Sequence, residues 1–256
     1  MDVDSYENGV PSWVDLGSPD IDGARAFYSD LFGWDIPVGP PEGGGYSIAT
    51  LRERPVAGIG PQMNPGPPVW MMYVNVDSAD DTVGVITANG GQVLAPAMDV
   101  MEFGRMAVAA DPTGAAFSIW QPRAHNGAAI VNEPNTFSWV ELATSDVDAA
   151  KAFYGAVFGW THESYGTPDA GGYTESKLGG RSVAGIMARP PGLPAEVPNY
   201  WGVYFLVDDT DKAVARVSEL GGTTVAPPMD IEPGRFAVVT DPAGAMFNVM
   251  TLKEPH

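Results

Sequence analysis

FYSDLFGW, residues 27–34, returns as FYGAVFGW at residues 153–160. An aromatic pair followed at a fixed distance by Phe-Gly-Trp is too long a phrase to recur by accident, so the chain is expected to hold one folding unit twice. Trp13 matches Trp139 and Asp20 matches Asp146 at the same offset, 126. The offset becomes 127 at the VAGI phrases beginning at Val56 and Val183, and 131 at Trp70/Trp201 and Asp77/Asp208. It is 131 again at Met98-Asp99/Met229-Asp230 and 130 at Gly104-Arg105/Gly234-Arg235 and Asp111-Pro112/Asp241-Pro242. The insertions fall between landmarks, as loops between packed elements allow. The expected organisation is a first domain over 1–124, a connector over 125–135 whose end is polar and contains proline, and a second domain over 136–256. Each half also repeats itself more faintly: Trp13 and Asp20 recur as Trp70 and Asp77, and Trp139 and Asp146 as Trp201 and Asp208.

Within a unit, WVDLGS (13–18) alternates apolar and polar positions in the manner of a strand. A Ser/Asp start then leads into Ile21, Ala24, Phe27, Tyr28 and Leu31 at helical spacing. The segments YSIATL and VAGIG read as a hairpin. The Asp-Pro-x-Gly turns at 111–114 and 241–244 each join two closing strands. Each module is therefore expected to be β-α-β-β with one further strand, and the repeated phrase to mark a helix end packed on its sheet.

Composition narrows the function. The 256 residues include no cysteine, which removes thiolate catalysis, disulfides and Cys-ligated metal sites. Thirty-two acidic against 13 basic residues give a net charge of -19, which repels nucleic-acid phosphates and anionic lipid. Neither a long apolar run nor a basic-then-apolar leader is present, so a cytoplasmic protein without nucleic-acid or membrane partners is expected. Neither a phosphate-binding glycine loop that opens a helix nor a nucleophile elbow occurs.

The helix-end aromatics with Leu/Val-Phe-Gly-Trp, the Val-Asp starts of the alternate modules and the closing phrases DPTGAAFSIW and DPAGAMFNVM resemble the vicinal oxygen chelate superfamily. That superfamily includes glyoxalase I, bleomycin-resistance proteins, fosfomycin-modifying enzymes and extradiol dioxygenases, and the resemblance, closest to a two-domain glyoxalase-like or hydroxylase-like branch, covers nearly the whole chain. It implies an α+β fold of tandem paired βαβββ modules, forming two curled, cup-like mixed sheets with helices packed outside. It also implies a metal site or ligand in each cup. Relatives take a His, Gln or Glu from a module's first strand and a Glu near its end. Counting from Asp20 and Asp146 places the first-strand slots at Trp13 and Trp139, with Met71 and Gly202 in the second modules. The closing-strand slots fall at Ser118 and Asn248. None of the first four binds a hard divalent ion, and neither Ser118 nor Asn248 is anionic. His125, His162 and His256 miss every slot, and His162 is expected to be exposed. No cofactor is expected, a divalent metal being the less favoured alternative.

Asp15 and Glu141 lie two residues beyond the tryptophans, on the same strand face. A carboxylate buried beside an indole has a raised pKa and suits general acid/base work or holding a ligand; the competing reading is a carboxylate satisfied within the protein. Trp13, Trp139, Trp70 and Trp201 are candidate aromatic walls for a flat ligand, or plain core. Arg105 and Arg235 either clamp a ligand anion or pair with Asp99 and Asp230. Three functions follow in order: a metal-free cup that binds a small apolar or aromatic compound, a metal-independent hydroxylase, isomerase or cyclase acting on one, and a metal-dependent lyase or dioxygenase. The chain is expected to be a monomer or a homodimer.

Overall fold

A computed structural model describes residues 1–63, 65–166, 172–191 and 197–253. The first half runs β1 (Pro11–Ser18), α1 (Ile21–Phe32), β2 (Ser47–Leu51), β3 (Arg54–Pro61), β4 (Val69–Asn75), α2 (Ala79–Ala88), β5 (Gln92–Val100), β6 (Gly104–Ala110) and β7 (Ala116–Pro122). The second runs β8 (Phe137–Thr144), α3 (Val147–Phe158), β9 (Thr161–Tyr165), β10 (Tyr173–Leu178), β11 (Arg181–Ala188), β12 (Tyr200–Leu206), α4 (Thr210–Glu219), β13 (Thr223–Asp230), β14 (Gly234–Thr240) and β15 (Met246–Leu252).

Each half forms a mixed sheet, ordered β2-β3-β1-β4-β7-β6-β5 in the first and β9-β10-β11-β8-β12-β15-β14-β13 in the second. The first strands of the paired modules run antiparallel side by side, β1 on β4 and β8 on β12, and parallel partners flank them. The modules therefore join edge to edge, and each sheet curls about that seam. Side chains alternate across it. Val14, Leu16, Met72 and Val74 turn to the helices and are fully buried, while Trp13, Asp15, Met71 and Tyr73 turn to the concave side.

The repeated phrase does more than pack a helix on its own sheet. Asp20 and Asp146 cap α1 and α3 by accepting from Gly23 N and Ala149 N, and Gly33 and Gly159 end them at φ 69° and 73°, where glycine alone is unstrained. Phe27, Tyr28 and Phe32, like Phe153, Tyr154 and Phe158, are buried, each worth about 1.5–3 kcal/mol. The tyrosines then cross to the other half. Tyr28 Oη donates to Asp241 (3.2 Å) and Tyr154 Oη to Asp111 (3.0 Å), the aspartates of the opposite Asp-Pro-x-Gly turns. Trp34 donates to the carbonyl of Asn135 and Trp160 to that of Gly9, both at 2.7 Å. The phrase is spoken twice because each copy clasps the other half, and one continuous core results.

One expectation changes. Among the described residues the first half has no strand to match β9: residues 36–45, IPVGPPEGGG, hold three prolines that cannot donate to a ladder, and a bridge between Asp35 and Thr50 stands in its place. The connector packs against the first half. Ala128, Ile130 and Val131 are buried, and Ala128 N and Ala129 N donate to Ser12 O and Pro55 O.

Candidate functional site

The concave face of each half carries the same polar group. In the first cup, Trp13 Nε1 donates to Tyr46 Oη (3.0 Å), and Tyr46 Oη and Tyr73 Oη both donate to Asp15 Oδ2 (3.1 and 2.9 Å). In the second, Trp139 Nε1 donates to Tyr173 Oη (2.9 Å) and Tyr204 Oη to Glu141 Oε1 (2.9 Å), with Tyr173 beside the same carboxylate. Register explains the assembly. Tyr73 faces Trp13 and Tyr204 faces Trp139 across the antiparallel seams, while Ser118 and Asn248 face Tyr73 and Tyr204 across the parallel ones.

Glycine makes room for it. A Cβ on Gly58 would lie 1.8 Å from Tyr46 Oη, and one on Gly185 would lie 2.0 Å from Tyr173 Oη. Gly58 and Gly185 pair in register with Asp15 and Glu141, so the VAGI phrases supply a bare backbone over which each phenol reaches its carboxylate.

Burial sets the electrostatics. Desolvation pushes the Asp15 carboxyl up to about 6, the two phenol donors pulling the other way. Glu141 is raised for the same reason and opposed by the same kind of donors. Tyr46, Tyr73 and Tyr204 are driven far above the usual phenol range by burial and by the neighbouring carboxylate, so they remain donors.

Trp13, Trp139, Asp15, Glu141, Ser118 and Asn248 thus come together as the sequence reading placed them. Trp70 and Trp201 do not. They pair with Leu16 and Leu142 and so lie on the helix side, where Trp70 Nε1 donates to Tyr28 Oη (3.0 Å) and Trp201 Nε1 to Tyr154 Oη (2.9 Å). They are core, not walls. Arg105 and Arg235 are also on the helix side, with their guanidinium donors engaged. Arg105 grips Asp80 of α2 through Nε and Nη2 (both 2.9 Å) and Asp99 through Nη1 (3.0 Å). Arg235 grips Asp211 of α4 (2.7 and 2.9 Å) and Asp230 (3.2 Å). A ligand anion would have to displace these carboxylates, so the pairing alternative describes the arginines.

The histidines also differ from expectation. His162 is half-buried, with Nδ1 3.1 Å from Ser176 Oγ and Nε2 2.9 Å from Lys151 O. His125, read as a connector residue, packs its ring edge-on against Trp13, centroids 4.4 Å apart, inside the first cup. His256 lies outside the described residues, as do residues 192–196. An open hollow of about 540 Å³ beside Thr113, Ser145, Arg189 and Asn199 sits at the seam of the halves, outside both cups.

The residues do not fit a hard divalent ion. Each cup offers one carboxylate already bonded by phenols, with indole, thioether, hydroxyl or carboxamide at the other slots. Among the described residues no three His, Asp or Glu side chains converge. The sequence reading missed the tyrosines and glycines; Tyr46/Tyr173 and Tyr73/Tyr204 recur at offsets of 127 and 131, the offsets of their neighbours.

Comparison with known proteins agrees with this architecture. The sequence profile of the Glyoxalase/Bleomycin resistance protein/Dioxygenase superfamily matches residues 11–119 and 136–249. CFP32 of Mycobacterium tuberculosis, whose name assigns it provisionally to the glyoxylases, is 46% identical over 254 residues, spanning 96% of this chain and 95% of that protein. The anthracycline biosynthesis protein DnrV of Streptomyces peucetius is 37% identical over 270 residues, spanning 98% and 96%. The Mn(II)-bound glyoxalase of Novosphingobium aromaticivorans superposes at a TM-score of 0.67 with 18% identity, over 96% of this chain and 83% of that one. The 2,2',3-trihydroxybiphenyl 1,2-dioxygenase of Sphingomonas wittichii does so at 0.67 with 14% identity, over 96% and 91%. At such identities these structures share the fold alone. Among the described residues no helix is long and apolar enough to cross a membrane.

Proposed function

Because the chain belongs to the glyoxalase/bleomycin resistance protein/dioxygenase superfamily, we propose that it binds a small, flat, largely apolar compound in a cup that needs no metal ion. The observation that carries this reading is the indole-tyrosine-carboxylate group, built twice in register at places where a metal-binding relative needs metal ligands. The carboxylate would take a hydrogen bond from a ligand hydroxyl, and the indole and phenol rings would offer it flat apolar surface. The anthracycline chemistry in DnrV's name suggests the class: a hydroxylated polycyclic aromatic. A surface charge of -19 leaves nucleic acid and anionic lipid unsuited as partners.

The test is thermal unfolding with a dihydroxyanthraquinone, with and without EDTA and with added Mn²⁺ or Zn²⁺. The ligand should raise Tm through linkage, unaltered by chelation. A Tm that responds to metal and not to the aromatic would reject the reading in favour of a metal-dependent lyase or dioxygenase.

A second reading has its own support in Asp15. A carboxyl titrating at about 6 beside two phenols is poised to exchange a proton near neutral pH, as a metal-independent isomerase, cyclase or hydroxylase would require. Asp15→Asn and Glu141→Gln would then abolish turnover of a bound aromatic while leaving its affinity within about tenfold. Undiminished turnover in both variants would remove this reading and leave binding alone.

A further inference from the structure

The two cups share their polar group but differ in what lies over the indole. Trp13 is only 4% exposed. His125 covers it, meeting its ring edge-on at 4.4 Å and that of Trp120 at 5.8 Å. The imidazole is held there from several directions. His125 N donates to Phe103 O (3.0 Å), its carbonyl accepts from Trp120 Nε1 (2.8 Å), and Ala128 N donates to Ser12 O (2.8 Å). Gly127 lies between them at φ 107°, where a Cβ would stand 2.5 Å from Ser12 O. The connector can come this close to β1 only through a glycine. Nε2 of His125 is buried with no hydrogen-bond partner among the described residues, so the ring is there as an aromatic body.

Among the described residues the second cup lacks this arrangement. Trp139 is partly exposed, packs against Tyr204, Leu206 and Met250, and has no imidazole over it among the described residues. The counterpart of Trp120 is Met250, which has no N–H with which to hold a carbonyl. Met71 is replaced by Gly202, which removes a side chain from the wall. Around Trp139 and Glu141 stand Tyr204, Phe236, Met250 and Leu252, an apolar group separate from the main core.

We propose that the first cup is filled by the chain itself, His125 lying over Trp13 where the second cup leaves its indole open, and that only the second cup takes an aromatic ligand, stacked on Trp139 with a hydroxyl on Glu141. The second half of this statement rests on the binding reading above; the first half does not.

His125→Gly separates the two halves. It removes the imidazole and leaves a slot of its shape, so free imidazole near saturation should raise the variant's Tm by about 3 °C and leave the native protein unchanged. Titration calorimetry with a dihydroxyanthraquinone should give one site per native chain and two per His125→Gly chain, with imidazole restoring one. Two sites on the native chain, or a folded variant that imidazole does not stabilise and that still binds one, would overturn the proposal. Rescue by imidazole with no anthraquinone bound to either protein would uphold the filled first cup and reject the ligand reading. Should His125→Gly fail to fold, His125→Phe decides: a ring in the slot should keep Tm within about 2 °C of native, and a fall as large as that of His125→Ala would overturn the proposal.

Discussion

Set side by side in register, the cups keep Trp13/Trp139, Tyr46/Tyr173 and Tyr73/Tyr204 and vary Asp15/Glu141, Met71/Gly202, Ser118/Asn248 and Trp120/Met250. The kept residues, with a carboxylate from Asp15 or Glu141, form the hydrogen-bonded group, and the other varied ones form its wall. On the opposite face of the same strands the two halves keep the same hydrogen bonds. Tyr28 and Tyr154 exchange bonds with Asp241 and Asp111, and Trp70 and Trp201 cap those tyrosines identically. On the helix face divergence is limited to exchanges among apolar residues, such as Met72/Val203 and Val74/Phe205, whereas in the cups it changes polar side chains as well. The helix face is fixed by a reciprocal contact that neither half can change alone, whereas each cup is free to specialise.

Truncation of the tryptophans should separate the faces most sharply. Trp70→Ala and Trp201→Ala remove fully packed rings and a donor to a buried phenol, so each should cost about 3–5 kcal/mol and lower Tm by roughly 10 °C. Trp139→Ala, at a partly exposed position, should cost less than half as much yet weaken dihydroxyanthraquinone binding at least about tenfold. Loss of binding in Trp201→Ala with unchanged Tm would show that the faces are inverted.

Gly58→Ala and Gly185→Ala probe the group that both halves keep. A methyl group under each tyrosine must push the phenol off its carboxylate, and overpacking of this kind costs about 1–3 kcal/mol. The two variants should be destabilised alike in urea unfolding. A marked inequality would mean that one copy of the group has lost its structural part.

The carboxylates should differ with pH. Asp15 binds its proton up to about pH 6 in the folded protein, above its ordinary range, so the folded state holds more protons than the unfolded between roughly pH 4 and 6. The stability this brings is complete at low pH and is lost as pH rises through about 6, at most about 3 kcal/mol. Asp15→Asn should flatten that decline and stabilise the protein at pH 7. Glu141→Gln should act in the same direction. A wild-type stability that rises from pH 4 to 6, with Asp15→Asn no more stable than wild type at pH 7, would contradict the burial assigned to the first carboxylate.

Much of this was legible in the sequence because it repeats. A period of 126 to 131 residues, with capping aspartates and glycines at matching places, gave the element order and the inward face of β1 and β8, and with it Trp13, Asp15, Trp139 and Glu141. The same alternation places Trp70 and Trp201 on the other face only when the antiparallel register against Leu16 and Leu142 is known, and register is a tertiary fact. The tyrosines lie on other strands than the carboxylates they bind, so no local spacing marks them. His125 escaped for a further reason. Nothing in HNGAAIVNEPN shows that the chain doubles back against Ser12, because that course depends on an indole 5 residues earlier and a glycine fitted to a neighbouring backbone.

The smallest expected effect concerns the arginines, where the two halves should be indistinguishable. Arg105 and Arg235 each join the first turn of a helix to an edge strand, through Asp80 with Asp99 and through Asp211 with Asp230. All four carboxylates are solvent-exposed, so salt screens the attraction and side-chain ordering offsets much of the rest. Arg105→Gln and Arg235→Gln should each lower Tm by less than about 2 °C in dilute buffer and by nothing measurable in molar salt. Neither should alter dihydroxyanthraquinone affinity, since both guanidinium groups lie across the sheet from the cups. A large loss of affinity in Arg235→Gln alone would mean that its ion pairs open to meet an anionic ligand, and the clamp reading would return for the second half.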